Sequence, residues 1–308
     1  MKTVVFGGAG FLGSHVADEL SERGHDVVIY DRVAAPYAKT NQEVVVGDIL
    51  DKEKVVATID GAEYVYSFAG IAGIADARKY PLKTIETNIL GTTNVVEACR
   101  LHRIKRFVFA STVYVYSDLA PFYRSSKQAC EMIIEDYQKS FGINYTVLRY
   151  SSLYGRRANH FNYIYRVVKQ AVEKGTIVRK GDGEEIRSYI HVLDAAKCSA
   201  DILSEEFANQ YVILAGNQSI KIKDLLNMIC EIFHDEISVE YSPEAEAGHY
   251  VITPYSFRPR IAKKLVPDTS LDLGQGILDV IYEVYSKSSK NARHTKDIER
   301  MISAEDSA

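Results

Sequence analysis

The first half of the chain alternates short runs of β-branched and aromatic residues with stretches in which apolar positions recur every three to four residues. Thr3-Val4-Val5-Phe6 reads as a strand, and the stretch from about Ser14 to Arg23 as an amphipathic helix that Gly24 ends. Val27-Val28-Ile29-Tyr30, Glu43 to Val46 and Tyr64 to Phe68 read as three further strands. A helix is predicted from Leu82 to Leu101, and the strand Phe107-Val108-Phe109-Ala110 should deliver Ser111 and Thr112 to its C-terminal end. A helix from Tyr123 to about Ser140 and the strand Tyr145-Thr146-Val147-Leu148 close the series. Uniformly apolar strands separated by helices call for a parallel sheet covered on both faces, so the expected class is α/β and doubly wound.

Past Ser151 the pattern loosens. Gly181-Asp182-Gly183 marks a turn, Asp194 can cap a helix from Ala195 to Leu203, and Ile222 to Phe233 reads as helical. The expected division is residues 1–151 as a cofactor-binding domain and 152–285 as a smaller, mainly substrate-binding lobe interwoven with the first. Residues 286–308 are expected to be a polar tail, weakly helical or disordered.

Composition narrows the class. A net charge of −4 over 308 residues, with signs interspersed, gives no polybasic surface for nucleic acid or membrane. The N-terminal residues carry no apolar stretch of the length a signal peptide or membrane span needs. Cys99, Cys130, Cys198 and Cys230 are scattered and share no ligand spacing. They read as reduced, buried thiols of a cytoplasmic protein, with no metal site expected.

Between the first strand and the first helix lies Gly7-Gly8-Ala9-Gly10-Phe11-Leu12-Gly13. Gly7 permits a tight turn, Gly10 lets the backbone approach a pyrophosphate, and Gly13 lets the helix pack close to the sheet. The helix N-terminus then offers free N–H groups to phosphate. Asp31, after the second strand, can accept from both ribose hydroxyls and would repel a 2′-phosphate, which favours NAD over NADP. Arg32 beside it could accommodate that phosphate. Asp48, with Ile49 next to it, is placed to meet the adenine edge; the alternative for Asp48 is a turn carboxylate.

Tyr123 and Lys127 are four residues apart, on one face of the predicted helix. An ammonium beside a phenol favours phenolate, lowering the Tyr pKa from its reference near ~10. Next to a nicotinamide ring, such a pair is a proton-transfer device for alcohol oxidation.

With these motifs the chain resembles the extended short-chain dehydrogenase/reductase family, and within it the NAD-dependent epimerase/dehydratase branch that acts on nucleotide sugars. The resemblance runs from Met1 to about Tyr285. It is carried also by Asn88-Ile89-Leu90-Gly91-Thr92, by Leu148-Arg149-Tyr150-Ser151-Ser152-Leu153-Tyr154-Gly155, and by the stretch from Gly181-Asp182-Gly183 through Arg187, His191 and Asp194. It implies a Rossmann-type sheet, bound NAD and a nucleotide-sugar substrate. Thr112 would hydrogen-bond the sugar oxygen, Tyr123 would be the base, and Lys127 would lower its pKa and hold the nicotinamide ribose. Asn88, Ala69 and Gly70 would line the nicotinamide side. Arg187 would pair with the diphosphate through its guanidinium fork. His191 reads as a packed or capping residue, and Tyr114 as strand-end packing or a sugar contact. The helices Leu82–Leu101 and Ser125–Ser140 resemble the pair that forms a four-helix homodimer interface, with Cys99, Ile133 and Tyr137 on the outer faces or in the core.

Departures from that pattern narrow the chemistry. Where dehydratases of the branch carry Asp-Glu after the Thr, this chain has Val113 and Tyr114, which disfavours 4,6-dehydration and also decarboxylation. The loop from Ser117 to Tyr123 is shorter than the family's, Ser152 replaces an Asn, and Glu246-Ala247-Gly248-His249 stands where R-x-G-D is common. Arg258 or Arg260 could supply the missing second arginine. The expected activity is epimerisation at C4 of a nucleotide hexose through a transient 4-keto intermediate. A nucleotide 4-keto-sugar reductase using NAD(P)H and a non-catalytic NAD-binding regulator remain as alternatives.

Overall fold

The computed structural model describes residues 1–217, 219–234, 236–243, 263–265 and 271–287. β1 (Lys2–Phe6) passes through the glycine loop into α1 (Phe11–Glu22), followed by β2 (Asp26–Asp31), β3 (Glu43–Val46), α2 (Lys52–Ile59) and β4 (Tyr64–Ser67). Next come α3 (Ile74–Lys79), α4 (Pro81–Ile85), α5 (Gly91–Leu101), β5 (Arg106–Thr112), α6 (Tyr123–Phe141) and β6 (Tyr145–Tyr150). The later elements are β7 (Ser152–Tyr154), α7 (Tyr163–Lys174), β8 (Thr176–Lys180), β9 (Ile186–His191), α8 (Val192–Asp201), β10 (Gln210–Leu214) and β11 (Ser219–Lys221). α9 (Ile222–Ile232), β12 (Ser238–Ser242), β13 (Lys263–Leu265) and α10 (Leu273–Lys287) complete the described elements.

Eight of these strands form one parallel sheet in the order β13-β10-β6-β5-β4-β1-β2-β3. The apolar runs are buried on both sides, as a parallel sheet demands. On one face Val4, Phe6 and Val28 meet Val55, Ile59, Val95 and Ile134 from α2, α5 and α6. On the other, Val5, Val27 and Ile29 meet Val16, Leu20, Ala195 and Cys198 from α1 and α8. Each fully buried side chain of this size stabilises by about 1.5–3 kcal/mol. The strand order reverses between β1 and β4, and ligands of such sheets bind outside the strand C-termini at that switch. A three-stranded sheet, β11-β9-β7, and the β12-β8 pair lie beside a separate core of α7, α9 and α10.

Several expectations need correction. The helix expected from Leu82 to Leu101 is α4, then a π-turn from Glu86 to Leu90, then α5. The π-turn holds Asn88, whose buried amide is bound by the Ile71 backbone and Ser126 (below). α8 begins at Val192 rather than Ala195, with His191 as its cap: Leu193 N donates to His191 Nδ1 at 3.4 Å. Asp194 instead accepts from Leu271 N at 2.9 Å. Of the two places left open for Cys99, the outer face or the core, it takes the core. α10 runs on to Lys287, two residues into the stretch expected as a polar, weakly helical tail. Residues 288–308, Glu246 to His249, Arg258 and Arg260 lie outside the described residues.

Candidate active site

The glycine loop after β1 is shaped by close backbone approach. Gly7, at φ +79°, packs so tightly on the loop after β4 that a Cβ there would lie 2.5 Å from Ala69 N. A Cβ on Gly13 would lie 2.2 Å from Gly7 O, so α1 can reach the turn only without one. Phe11 and Leu12 open α1; Phe11 stands edge-on to His15 at 6.3 Å, and Leu12 packs against the α1-side core. Asp31 Oδ2 accepts from Ala9 N at 3.1 Å, which fixes the carboxylate beside the loop at the end of β2. Arg32 next to it is exposed. Asp48 makes a turn, its Oδ1 accepting from Leu50 N at 3.0 Å. The Ile49 side chain is in the core against Gly91, and its carbonyl accepts from Asn94 Nδ2 at 3.2 Å.

Asn88 braces the opposite wall. Its Oδ1 accepts from Ile71 N at 2.7 Å, and its Nδ2 donates to Ile71 O at 3.1 Å and Ser126 Oγ at 3.0 Å. All its amide donors are thereby committed to holding the loop from Ala69 to Ile71 against the first turn of α6.

β5 ends at Thr112 and α6 begins at Tyr123, so both reach the same rim. Thr112 Oγ1 accepts from Tyr114 N at 3.2 Å and shares a hydrogen bond with the Tyr123 hydroxyl. Tyr114 stands edge-on to Tyr123, with ring centroids 6.4 Å apart. Lys127, one turn along α6, is buried; its Nζ donates to Ala110 O at 2.8 Å and lies 4.7 Å from the Phe109 ring centroid.

The expected lowering of the Tyr123 pKa by Lys127 is not what this geometry produces. Burial pushes the phenol up to about 12, and the bond to Thr112 pulls the other way. The Lys127 ammonium is turned to the β5 carbonyl, and burial lowers its own pKa while Cys130 and Glu131 support its charge. Desolvation outweighs the neighbour here.

Arg187 is buried in β9, its Nη1 donating to Ile186 O at 3.1 Å. Ser152 opens β7 and pairs with Tyr189 of β9, which puts Ser152 and Arg187 on adjacent strands of the small sheet.

The NAD-dependent epimerase/dehydratase family model matches residues 3–213. The chain belongs to that family. Among its relatives is a UDP-N-acetyl-α-D-glucosaminuronate decarboxylase of Bacillus cytotoxicus, 27% identical over 79% of this chain and 83% of the relative. Another is a putative UDP-glucose 4-epimerase of Methanocaldococcus jannaschii, 29% identical over 73% and 80% of the two chains. The fold matches UDP-glucuronic acid 4-epimerase of Bacillus cereus, solved with UDP-glucuronic acid and NAD, at a TM-score of 0.80, 22% identity and coverage of 94% and 100%. UDP-glucose 4-epimerase of Thermotoga maritima gives 0.80, 23%, 93% and 99%.

Two features of this family member were not legible locally. Phe122, before the Tyr, has φ +63° and ψ −46°, and Tyr123 N donates to Pro121 O at 2.8 Å. That is a γ-turn, a strained shape for a bulky residue. Behind Lys127, Glu131 and Arg149 form a buried ion pair, N–O 2.6 Å. The Glu at i+4 from the Lys and the Arg in the Leu148-Arg149-Tyr150 run were the signals that could have suggested it.

Proposed function

We propose that the protein is an NAD-dependent nucleotide-sugar epimerase that inverts C4 of a nucleotide hexose through a transient 4-keto sugar. The observation that carries this reading is the meeting of Thr112, Tyr123 and Lys127 beside a glycine cradle at the β1/β4 switch. The cradle fits a dinucleotide, since the space a Cβ would fill at Gly7 and Gly13 is closed by backbone and the helix N-terminus points at the turn. Gly7, Gly10 and Gly13 would hold the pyrophosphate, Asp31 the adenosine ribose, and Lys127 the nicotinamide ribose. When bound, NAD supplies a reversible hydride acceptor. Thr112, its oxygen anchored by Tyr114 N, orients the sugar 4-hydroxyl toward Tyr123. Tyr123, in its phenolate form, would take the hydroxyl proton as general base during oxidation of C4 and would return it during the reduction that inverts C4. Arg187 and Ser152 hold the diphosphate.

Decarboxylases and 4-epimerases both occur among the relatives. Tyr114, edge-on to Tyr123, stands where the resemblance gives decarboxylases a Glu, which supports epimerisation. The relatives' names favour a UDP-sugar.

Proton NMR in D2O with a panel of nucleotide hexoses and no added cofactor tests the reading. A new anomeric signal at unchanged mass without deuterium uptake is expected. No conversion of any sugar would overturn it.

A homodimer through α4, α5 and α6 belongs to the same proposal. Leu82 is 81% exposed, and with Ile85 and Leu90 it borders an open groove of about 490 Å³. Apolar exposure of this kind marks an interaction surface. The buried free thiols of Cys99, Cys130 and Cys198 support a cytoplasmic setting. Formation of surface-polysaccharide or glycan precursors is the process in which we place the reaction.

A further inference from the structure

We infer that Glu131 and Arg149 are positioning residues for proton transfer: their buried pair fixes the catalytic face of α6 against the ends of β5 and β6. The inference rests on the proposed reaction.

The pair is a two-point fork, with Arg149 Nε donating to Glu131 Oε1 at 3.0 Å and Nη2 to Oε2 at 2.6 Å. Both side chains are almost wholly removed from solvent, at 3% and 5% exposure. Two further hydrogen bonds and its place on α6 tie it to the segments proposed to carry the chemistry. Ser111 Oγ, immediately before Thr112, donates to Glu131 Oε1 at 2.6 Å. Arg149 Nη1 donates to the hydroxyl of Tyr116, which ends the 3-10 turn following Thr112. Glu131 itself lies one turn beyond Lys127 on α6. The guanidinium also lies 4.3 Å from the Tyr211 ring centroid and 4.7 Å from that of Tyr116.

A buried ion pair is a poor stabiliser compared with apolar side chains of the same volume. Its directional bonds do what apolar packing cannot: they fix distances between a helix and two strands. Here those distances set where Tyr123 meets Thr112 and where Lys127 points. The titratable groups around Lys127 are Tyr123, Cys130 and Glu131 on its own helix, with Arg149 of β6 and Tyr116 behind Glu131. Glu131 supports the Lys127 charge against burial.

The test compares Glu131→Gln, Arg149→Lys and the double variant Glu131→Gln/Arg149→Met in kcat, KM, the pH profile of kcat, and melting temperature. Glu131→Gln should lower kcat about 100-fold with KM little changed, the cost of a misplaced reacting group. Its alkaline limb should move to lower pH, because Lys127 loses the carboxylate that favours its charged form. Arg149→Lys keeps the charge without the fork and should fall between. The double variant leaves no orphaned charge, so it should melt near the wild type yet keep the low kcat and the shifted limb. Wild-type kcat and pH profile in the double variant would overturn the inference. If the wild type converts no nucleotide sugar, the proposed function falls by itself. The inference is then read from NAD affinity, which should weaken at lower pH in Glu131→Gln than in wild type; identical pH dependence would overturn it.

Discussion

At the end of β1 the geometry is set by atoms that are missing, whereas at the end of β5 it is set by charges that are buried. The glycine turn closes because no Cβ stands between Gly13 and Gly7 O or between Gly7 and Ala69 N. The Asp31 carboxylate beside it keeps one oxygen on a backbone N–H. Around Tyr123 the fixing contacts are hydrogen bonds and an ion pair. Position there depends on Lys127 against Ala110 O, on Asn88 between two loops, and on Glu131 with Arg149. A steric site tolerates changes in charge and fails on added volume. An electrostatic site behaves the other way round.

Tyr123→Phe should give the largest effect, because it removes the oxygen proposed to take and return the proton while leaving the ring in place. Turnover should fall about 1,000-fold, within the usual range for a general base. NAD affinity, measured by calorimetry, should change little, since the cradle does not depend on the hydroxyl. A parallel loss of NAD binding would show that the two ends are one unit, and the contrast would be wrong. Gly13→Ala is the reciprocal experiment. Overpacking by one methyl against Gly7 O should cost about 1–3 kcal/mol, read as up to about 100-fold weaker NAD binding. The rate of bound enzyme at saturating NAD should be nearly retained.

The same contrast explains what the sequence disclosed. The cradle was legible because its requirement, no side chain at Gly7 and Gly13, is written in consecutive residues. The parallel sheet was legible because Val4 to Phe6 and Val27 to Tyr30 are apolar on both faces. Tyr123 and Lys127 could be placed on one helical face, but the sign of their effect could not. It depends on how deeply the phenol is buried and on a carbonyl, Ala110 O, that competes for the ammonium. The break in the Leu82–Leu101 helix escaped for a related reason. A π-turn arises from what Asn88 meets across the fold, at Ile71 and Ser126, and periodicity carries no trace of it. The α8 start was misplaced because His191 caps it, a role that sequence usually gives to Asp, Asn, Ser or Thr.

Asp31→Ala probes the carboxylate that contacts the glycine turn. It removes an acceptor for Ala9 N and the expected partner of the ribose hydroxyls. NAD affinity should fall about tenfold, the usual worth of a hydrogen bond to a charged group. NADP affinity, measured in the same titration series, should not fall with it, since a repelling carboxylate has gone. Equal losses for both cofactors would mean that Asp31 only holds the loop.

A last contrast comes from a charge that the fold keeps off. His191 is 2% exposed, its Nδ1 accepts from Leu193 N, and burial with the nearby charges of His15 and Arg156 holds its pKa down to about 4 from 6.5. Neutral imidazole is favoured in the folded state, so this stability is fully present above pH 6.5. It is lost as pH falls through the folded value near 4, by then amounting to roughly 3 kcal/mol. His191→Asn keeps a capping acceptor and removes the titration. Its melting temperature should therefore fall less than that of the wild type between pH 6.5 and 4. Some slope should persist, because burial also lowers the pKa of His15. Parallel curves for the two proteins would show that the start of α8 is held by packing alone, with no part for the charge of His191.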